Sequence, residues 1–414
     1  MKILMIGHSA DGTGAPLSML QLARALTSMG HELNIGLRRP GRLLTEYQSV
    51  APVHVLRDDH TDMKARDLVD TAFRYDPLLA LKCSRNPDRP FCLPIDDLNS
   101  VRDWVRDVRA WGPDWIYVNT SHCGDLLEHL RQLQCPLITH VREMRATLEA
   151  LDRKRFKTFR DDTDHFLAAS EAVRDDLIEV AHIRPEMISV EAPAMSFDEE
   201  RLQRASERIQ SVESELGLQP GDLLVIGVGT PCERKGTDLF IEACQAARKH
   251  LPDDRRLVCL WIGGGEKQAD MDRYQVMISE GQHATDIRFV GQVDDPFPYY
   301  ALANAHLLCS REDPNPRVVM EAAALGTYTL SFDENGGAPD FIRTFEAGAL
   351  VSFLDTVEMG ERLAELLKGD TGPDHALAER VKSERDVTKS ADRIVTVAQR
   401  LIDLQSARDQ ESAL

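Results

Sequence analysis

Short apolar runs of strand length recur along this chain, and each gives way to a segment with helical spacing. The first series opens at Ile3–Ile6 and passes into a stretch with Leu17, Leu20, Leu22, Ala25 and Leu26 apolar, closing at Met29-Gly30, where Gly30 suits a helix C-cap. The runs HELNIGL, WIYVNT (115–120), PLITHV (136–141) and HFLAAS (165–170) follow, the last with Ser170 as an N-cap candidate. Pro193 and the charged run Asp198–Arg201 interrupt the rhythm and mark a boundary or crossover. A second series then runs through DLLVIGVG (222–229), a helix over about 238–249, RLVCLWIGGG (256–265), IRFVGQV (287–293), AHLLCS (305–310), TYTLSF (327–332) and GALVSF (348–353).

Alternation of this kind produces a parallel sheet covered by helices on both faces, and 414 residues exceed what one ordinary core accommodates. The expected fold is therefore α/β, two Rossmann-like domains in tandem. The first is placed at 1–195, the second at 196–390, and 391–414 is expected to form a helix packing back on the first, with Ile394, Val395, Val397, Ala398, Leu401 and Ile402 apolar. Ligands of such sheets sit at the carboxyl ends of the strands, where Asn119, Thr120, His140 and Ser170 fall. Two facing domains would leave a cleft, the expected seat of chemistry.

Charge narrows the partners. Residues 1–190 carry 25 Lys/Arg against 28 Asp/Glu, whereas 191–414 carry 24 against 40, so most of the net −19 lies in the second half. Nucleic acid, whose binding draws on a basic surface, is not an expected partner. Asp152-Arg-Lys-Arg-Phe-Lys-Thr-Phe-Arg160 is a local exception; it suits a solvated helix face first, and a weak peripheral membrane contact second. No apolar run reaches the ~18–20 residues of a membrane span, and the N-terminus lacks a signal-peptide pattern, so a cytoplasmic protein is expected. The eight cysteines form neither Cys-x-x-Cys nor a Cys/His cluster, and no metal site or disulfide framework is expected.

Two stretches carry candidate chemistry. In GHSADGTGAPLSML, residues 7–20, Gly7, Gly12 and Gly14 stand where a strand ends and a helix begins, a turn whose free N–H groups could face an anion or sugar hydroxyls. In SREDPNPRVVMEAAALG, residues 310–326, Asp313 follows a strand and Glu321 lies eight positions on, inside a helix starting near Arg317. Carboxylates suit the recognition of vicinal hydroxyls on a ribose or pyranose. A phosphate needs cations and N–H groups, and Arg234-Lys235-Gly236 before a helix supplies them, as Gly336-Gly337 before the helix carrying Asp340 does in part. Together these features describe a pocket for a nucleoside-diphosphate sugar.

On these motifs the chain resembles the retaining GT-B glycosyltransferases of the GT4 family, also called glycosyltransferase group 1. Asp313-x7-Glu321 is similar to that family's Glu-x7-Glu, Lys235-Gly236 to its Lys-Gly, and Gly336-Gly337-Ala-Pro-Asp340 to its Gly-Gly-x-x-Glu; Gly12-Thr-Gly14-Ala-Pro and His140 resemble its acceptor domain. The resemblance implies transfer of a sugar from an NDP-sugar donor to a hydroxyl acceptor, with retention and without metal or other cofactor. It implies that Lys235 and Arg234 meet the leaving diphosphate, Glu321 the ribose, and Asp313 the donor sugar. His140 would approach the sugar, Gly14 would bring backbone N–H close, and Asn315, Arg317 and Val318 would line the donor site. The sequence departs from the pattern in having Asp for the first Glu, Pro314-Asn315-Pro316 for a Gly-Phe-Gly, and Gly229-Thr230-Pro231 for a Gly-Arg-Leu. The prolines remove two N–H donors. Arg142 and Glu143 suit an ion pair with each other, and the acceptor is expected to meet loops such as 76–98.

Three rival readings remain from the residues: an NADP-dependent oxidoreductase using Arg38 and Arg39, a sugar-nucleotide epimerase on the same fold, and a non-catalytic assembly partner.

Overall fold

The computed structural model describes residues 1–57, 99–265, 268–281, 285–369 and 372–412. Residues 58–98, which include the whole of the 76–98 loop expected to meet the acceptor, lie outside the described set. The chain divides into two units. One comprises Met1–Ala169, Val173–Met195 and Val387–Leu414; the other comprises Ser170–Ala172 and Ser196–Asp386.

The first unit is an eight-stranded sheet of β1 (Lys2–Gly7), β2 (Glu32–Leu37), β3 (Val53–Arg57), β4 (Asn99–Ser100), β5 (Trp115–Val118), β6 (Leu137–Val141), β7 (His165–Ala168) and β8 (Ile188–Val190). Their order is β4-β3-β2-β1-β5-β6-β7-β8, with every pairing parallel. Every residue of β5 and β6 is buried, as strands covered on both faces must be. One face packs Met19, Leu20, Ala23 and Leu26 of the helix Gly14–Ser28 together with Ala391, Ile394 and Ala398 of the C-terminal helix Val387–Ser412. The other face packs Trp104, Val105, Leu127 and Leu130 against Leu4, Ile6, Ile116 and Val118.

The second unit is a six-stranded parallel sheet of β9 (Leu223–Val228), β10 (Leu257–Ile262), β11 (Asp286–Gly291), β12 (Ala305–Leu308), β13 (Thr329–Phe332) and β14 (Gly348–Val351), in the order β11-β10-β9-β12-β13-β14. In each sheet the strand order reverses once, beside β1 and β5 in the first and beside β9 and β12 in the second. Crevices at such reversals are where open α/β sheets take ligands. The interrupted stretch after Pro193 is a regular 18-residue helix, Glu199–Leu216, capped by Asp198 at its start and by left-handed Gly217 at its end. β3 and β8 carry no separate signal in the apolar pattern; β3 ends at the border of the described residues and β8 is three residues long.

Candidate functional site

The carboxyl ends of β9, β12 and β13 bring three chain segments of the second unit together. Gly236 caps the helix Thr237–Arg248 with φ +68°, and a Cβ there would stand 1.8 Å from the Cys309 carbonyl oxygen. Glycine is thus demanded by both backbone conformation and close approach. The turn preceding it is pinned from the end of β12. Arg311 donates its backbone N–H to the Arg234 carbonyl (2.8 Å) and its guanidinium to both Asp238 oxygens (2.9 and 2.8 Å) and to the Glu233 carbonyl (2.5 Å). Burial pushes the Asp238 carboxyl up, but the Arg311 guanidinium outweighs it and leaves the group below the usual carboxylate range.

On this turn Lys235 forms an ion pair with Asp313. Asp313 is only 5% exposed, and its backbone is tied on both sides: its N–H donates to the Asn335 carbonyl (2.8 Å) and its carbonyl accepts from the Gly337 N–H (3.0 Å). A Cβ on Gly337 would come within 2.3 Å of the Pro314 carbonyl oxygen, so the Gly336-Gly337 pair lets the segment after β13 lie directly on the Pro-Asn-Pro turn. Pro316 then caps the helix Arg317–Ala323. Within that helix Glu321 is buried, accepting from Arg317 at 3.3 Å and from the Tyr300 hydroxyl at 3.4 Å. Asn315, Arg317 and Val318 are half-buried at the same helix start. Arg234 is exposed, one guanidinium nitrogen donating to the Glu312 carbonyl at 2.9 Å. Asp340 faces partly outward beside Arg343, at 3.9 Å.

Beneath the turn lies His306 of β12, wholly buried, with Nδ1 3.0 Å from the Thr329 hydroxyl and Nε2 without a partner among the described residues. Burial, reinforced by the Lys235 ammonium, lowers its pKa to about 3. Ser310 Oγ and Asn335 Oδ1, just past the ends of β12 and β13, are likewise buried without partners among the described residues. Buried orphan acceptors are uncommon in native folds, and these two belong to the segments that flank Asp313.

The first unit gathers a second polar cluster at the ends of β1, β5 and β6. His140 is buried, with Nδ1 2.9 Å from the Tyr117 hydroxyl and Nε2 3.0 Å from the Glu191 carbonyl oxygen. Burial, with the Arg142 guanidinium beside it, lowers its pKa well below the ordinary histidine value. Arg142 does not pair with the Glu143 side chain as its position had implied. Its Nε donates to Asn119 Oδ1 (3.1 Å) and only its backbone N–H reaches Glu143, at 3.1 Å. Glu143 is engaged instead by Thr120, by the Ser121 N–H and hydroxyl (3.2 and 3.0 Å) and by His122 Nδ1 at 3.3 Å. Burial raises the Glu143 carboxyl, the surrounding donors more than offset it, and His122 is correspondingly raised by its bond to Glu143.

The glycine-rich turn of this unit has one of its donors taken from within. Asp11 accepts from the Thr13 N–H at 2.9 Å and from its hydroxyl, occupying a donor that the turn had offered to a ligand. None of Gly7, Gly12 and Gly14 has positive φ. Gly7 is needed for contact with Met19 and Gly12 for the passage of Arg42, while a Cβ on Gly14 would meet nothing within 4 Å. Arg38, offered to a 2'-phosphate in the oxidoreductase reading, is ion-paired with Asp125. The basic run beginning at Arg153 is the helix Arg153–Asp161, whose Lys154 meets Glu128 at 3.2 Å and whose Arg160 meets Asp161 at 2.7 Å.

Comparison with known families accounts for both units. Residues 12–191 match the family described as Glycosyltransferase Family 4, and residues 221–369 match Glycosyl transferases group 1. The chain belongs to the group 1 glycosyltransferases. The lipopolysaccharide core biosynthesis glycosyltransferase LpsE of Rhizobium meliloti is 31% identical over 158 residues, 38% of this glycosyltransferase and 43% of that relative. The fold is GT-B: HepE of Anabaena, solved with UDP, superimposes with a TM-score of 0.71 over 97% of this chain and 100% of its own, at 18% identity. The glycosyltransferase WaaG superimposes with 0.64 over 96% of this chain and 99% of its own, at 13% identity. No helix among the described residues of this glycosyltransferase is long and apolar enough to cross a membrane.

Three participants escape the motif reading of this glycosyltransferase. Arg311 locks the basic turn, Tyr300 reaches Glu321 from the helix Phe297–Leu302, and His122 pairs with Glu143. Of these only Arg311 had a legible signal, since it follows an apolar strand directly and a first-turn carboxylate, Asp238, follows the neighbouring one.

Proposed function

We propose that this glycosyltransferase takes a sugar from a nucleoside-diphosphate donor held by the second unit and passes it to a hydroxyl acceptor, with retention at the anomeric carbon. The observation that carries this reading is the convergence of a cation and two buried carboxylates at strand ends that the fold reserves for ligands: Lys235 beside Asp313, with Glu321 on the following helix. Lys235 and Arg234 meet the diphosphate, where negative charge grows as the sugar departs. Removing one such donor typically costs ~3–4 kcal/mol of transition-state stabilisation. Glu321 takes the ribose hydroxyls and Asp313 those of the donor sugar, flanked by Asn315, Arg317 and Val318. Gly14 and His140 belong to the acceptor side in this reading. His140 acts as a neutral imidazole, because its pKa is driven far down by burial.

UDP and UDP-glucose are the first donors to test, since HepE has been solved with each. The name of LpsE makes a saccharide of the lipopolysaccharide core an acceptor to include. The reading assigns charge neutralisation to Lys235, Arg234 and a helix N-terminus rather than to a metal, and places the reaction in the cytoplasm, where free cysteines such as Cys244, Cys259 and Cys309 stay reduced.

A thermal-shift screen of the full chain with UDP, GDP, ADP and their glucose or mannose derivatives tests the donor assignment, because a ligand of the native state raises the melting temperature. A rise with one nucleotide series, lost in Lys235→Ala and Glu321→Ala, supports it. A response to NADPH together with silence toward every nucleoside diphosphate would overturn it.

A further inference from the structure

Lys235 already has an anionic partner before any diphosphate arrives. We propose that the Lys235–Asp313 ion pair competes with the diphosphate, so that Asp313 makes the protein prefer the intact sugar nucleotide to the nucleoside diphosphate left after transfer; this rests on the donor reading above.

The two members of the pair differ in freedom. Asp313 cannot follow its partner. Its backbone is bonded to Asn335 and Gly337, it bridges to Gly336 across the gap between β12 and β13, and the carbonyl of the next residue is packed against Gly337. Lys235 has a flexible four-carbon stem, which runs past Gly229 with its Cγ, Cδ and Cε 3.6–3.7 Å from where a Cβ would stand. Among the described residues Lys235 is the only side chain bonded to the Asp313 carboxylate. Neighbouring cations do not offer relief: Arg311 is committed to Asp238, and the bonded nitrogen of Arg234 is on the Glu312 carbonyl.

When the ammonium turns to a diphosphate, a 5% exposed carboxylate is left without its counter-ion. An uncompensated buried charge is strongly unfavourable, whereas hydroxyl donors can satisfy it. A donor sugar carries such hydroxyls at the place the reading gives to Asp313; the bare nucleoside diphosphate has only those of its ribose, which the same reading gives to Glu321. Binding of the intact donor therefore exchanges one partner of Asp313 for another, while binding of the product strands it. Once the sugar has gone to the acceptor, Asp313 draws Lys235 back and the product's hold weakens.

Isothermal titration of the full chain with UDP and UDP-glucose, GDP and GDP-mannose, and ADP and ADP-glucose measures the preference directly. For the series that binds, Asp313→Asn is expected to tighten the free diphosphate about fivefold or more and to shrink its gap from the sugar nucleotide. Glu321→Gln is expected to weaken both alike. In a Lys235→Gln background, where no cation is left to compete for, the Asn substitution is expected to leave diphosphate affinity unchanged. An unchanged or weakened diphosphate affinity in Asp313→Asn overturns the proposal. So does failure of both Asp313→Asn and Asp313→Ser to melt cooperatively, since the carboxylate would then be a structural support of the turn. If neither the native chain nor Asp313→Asn binds any diphosphate, the donor reading fails, and this inference with it. Binding by the native chain with no effect of Asn defeats this inference alone.

Discussion

Burial holds the His306 imidazole neutral far below the ordinary histidine range, and that has a measurable consequence. Its pKa in the folded chain is about 3, against the ordinary 6.5 once unfolded. Above pH 6.5 both states are neutral and the ring contributes no pH dependence. Below it the unfolded chain takes up a proton that the folded chain refuses, so stability falls as pH drops, by about 1.4 kcal/mol per pH unit for each such group until the folded pKa is reached. His140 acts in the same direction, since burial lowers it too. His122 acts in the opposite sense: its raised pKa adds stability that is fully present below 6.5 and lost as pH climbs through the raised value. Urea unfolding between pH 7 and 4 should therefore show a steep loss, and His306→Gln should flatten it. An unchanged slope in that variant would show that His306 accepts a proton in the folded state. Lys235→Ala should reduce turnover by roughly two to three orders of magnitude, the usual consequence of losing one charge-stabilising donor, with far less effect on melting temperature.

Helices and turns around the donor side depend on glycines for reasons that differ from place to place. Gly236 needs a left-handed backbone and contact with Cys309, whereas Gly337 needs only room beside Pro314. Gly236→Ala should therefore be the worse substitution, costing about 2–3 kcal/mol by lifting the helix Thr237–Arg248 off the end of β12, and it should weaken diphosphate binding by displacing Lys235. Chemical denaturation together with titration of UDP would check both effects. Gly14→Ala should be close to neutral, since nothing stands within 4 Å of its Cβ position. The helix Glu199–Leu216 was passed over in the sequence because most of its residues are charged or polar, although Leu202, Ala205, Ile209, Val212 and Leu216 recur at three- and four-residue spacing along one less exposed face.

The C-terminal helix crosses from the second unit's sequence back into the first unit's core, and the Val387 N–H donates to the Met195 carbonyl at 3.2 Å, where the chain had left that unit. Glu191, 6% exposed by side chain, is bound there by Arg393 through two bonds (2.8 and 2.7 Å) and by the Ser390 hydroxyl (2.7 Å). Its carbonyl oxygen is the one that faces His140 Nε2. Breaking a buried pair costs ~3–5 kcal/mol, and with Arg393 half in water the loss in Arg393→Ala should be nearer 2 kcal/mol. That variant should lower the melting transition of the first unit while leaving nucleotide binding by the second intact, which calorimetry with and without UDP would separate.

The apolar runs specified two parallel α/β sheets, because a strand buried on both faces has to be apolar throughout and its helices striped, and both signals are local. Lys235, Gly236 and Asp313 could be singled out in the same way, since each follows a strand end closely, and Glu321 by its spacing from Asp313 on the next helix. What no local pattern contains is the partner of each charge. That Lys235 lies on Asp313 and that Arg142 turns to Asn119 instead of Glu143 follow from the pairing of strands far apart in the chain. Buried charge finds the nearest counter-ion or donor in space, and nearness in space is set by the register of the sheets and not by the order of residues.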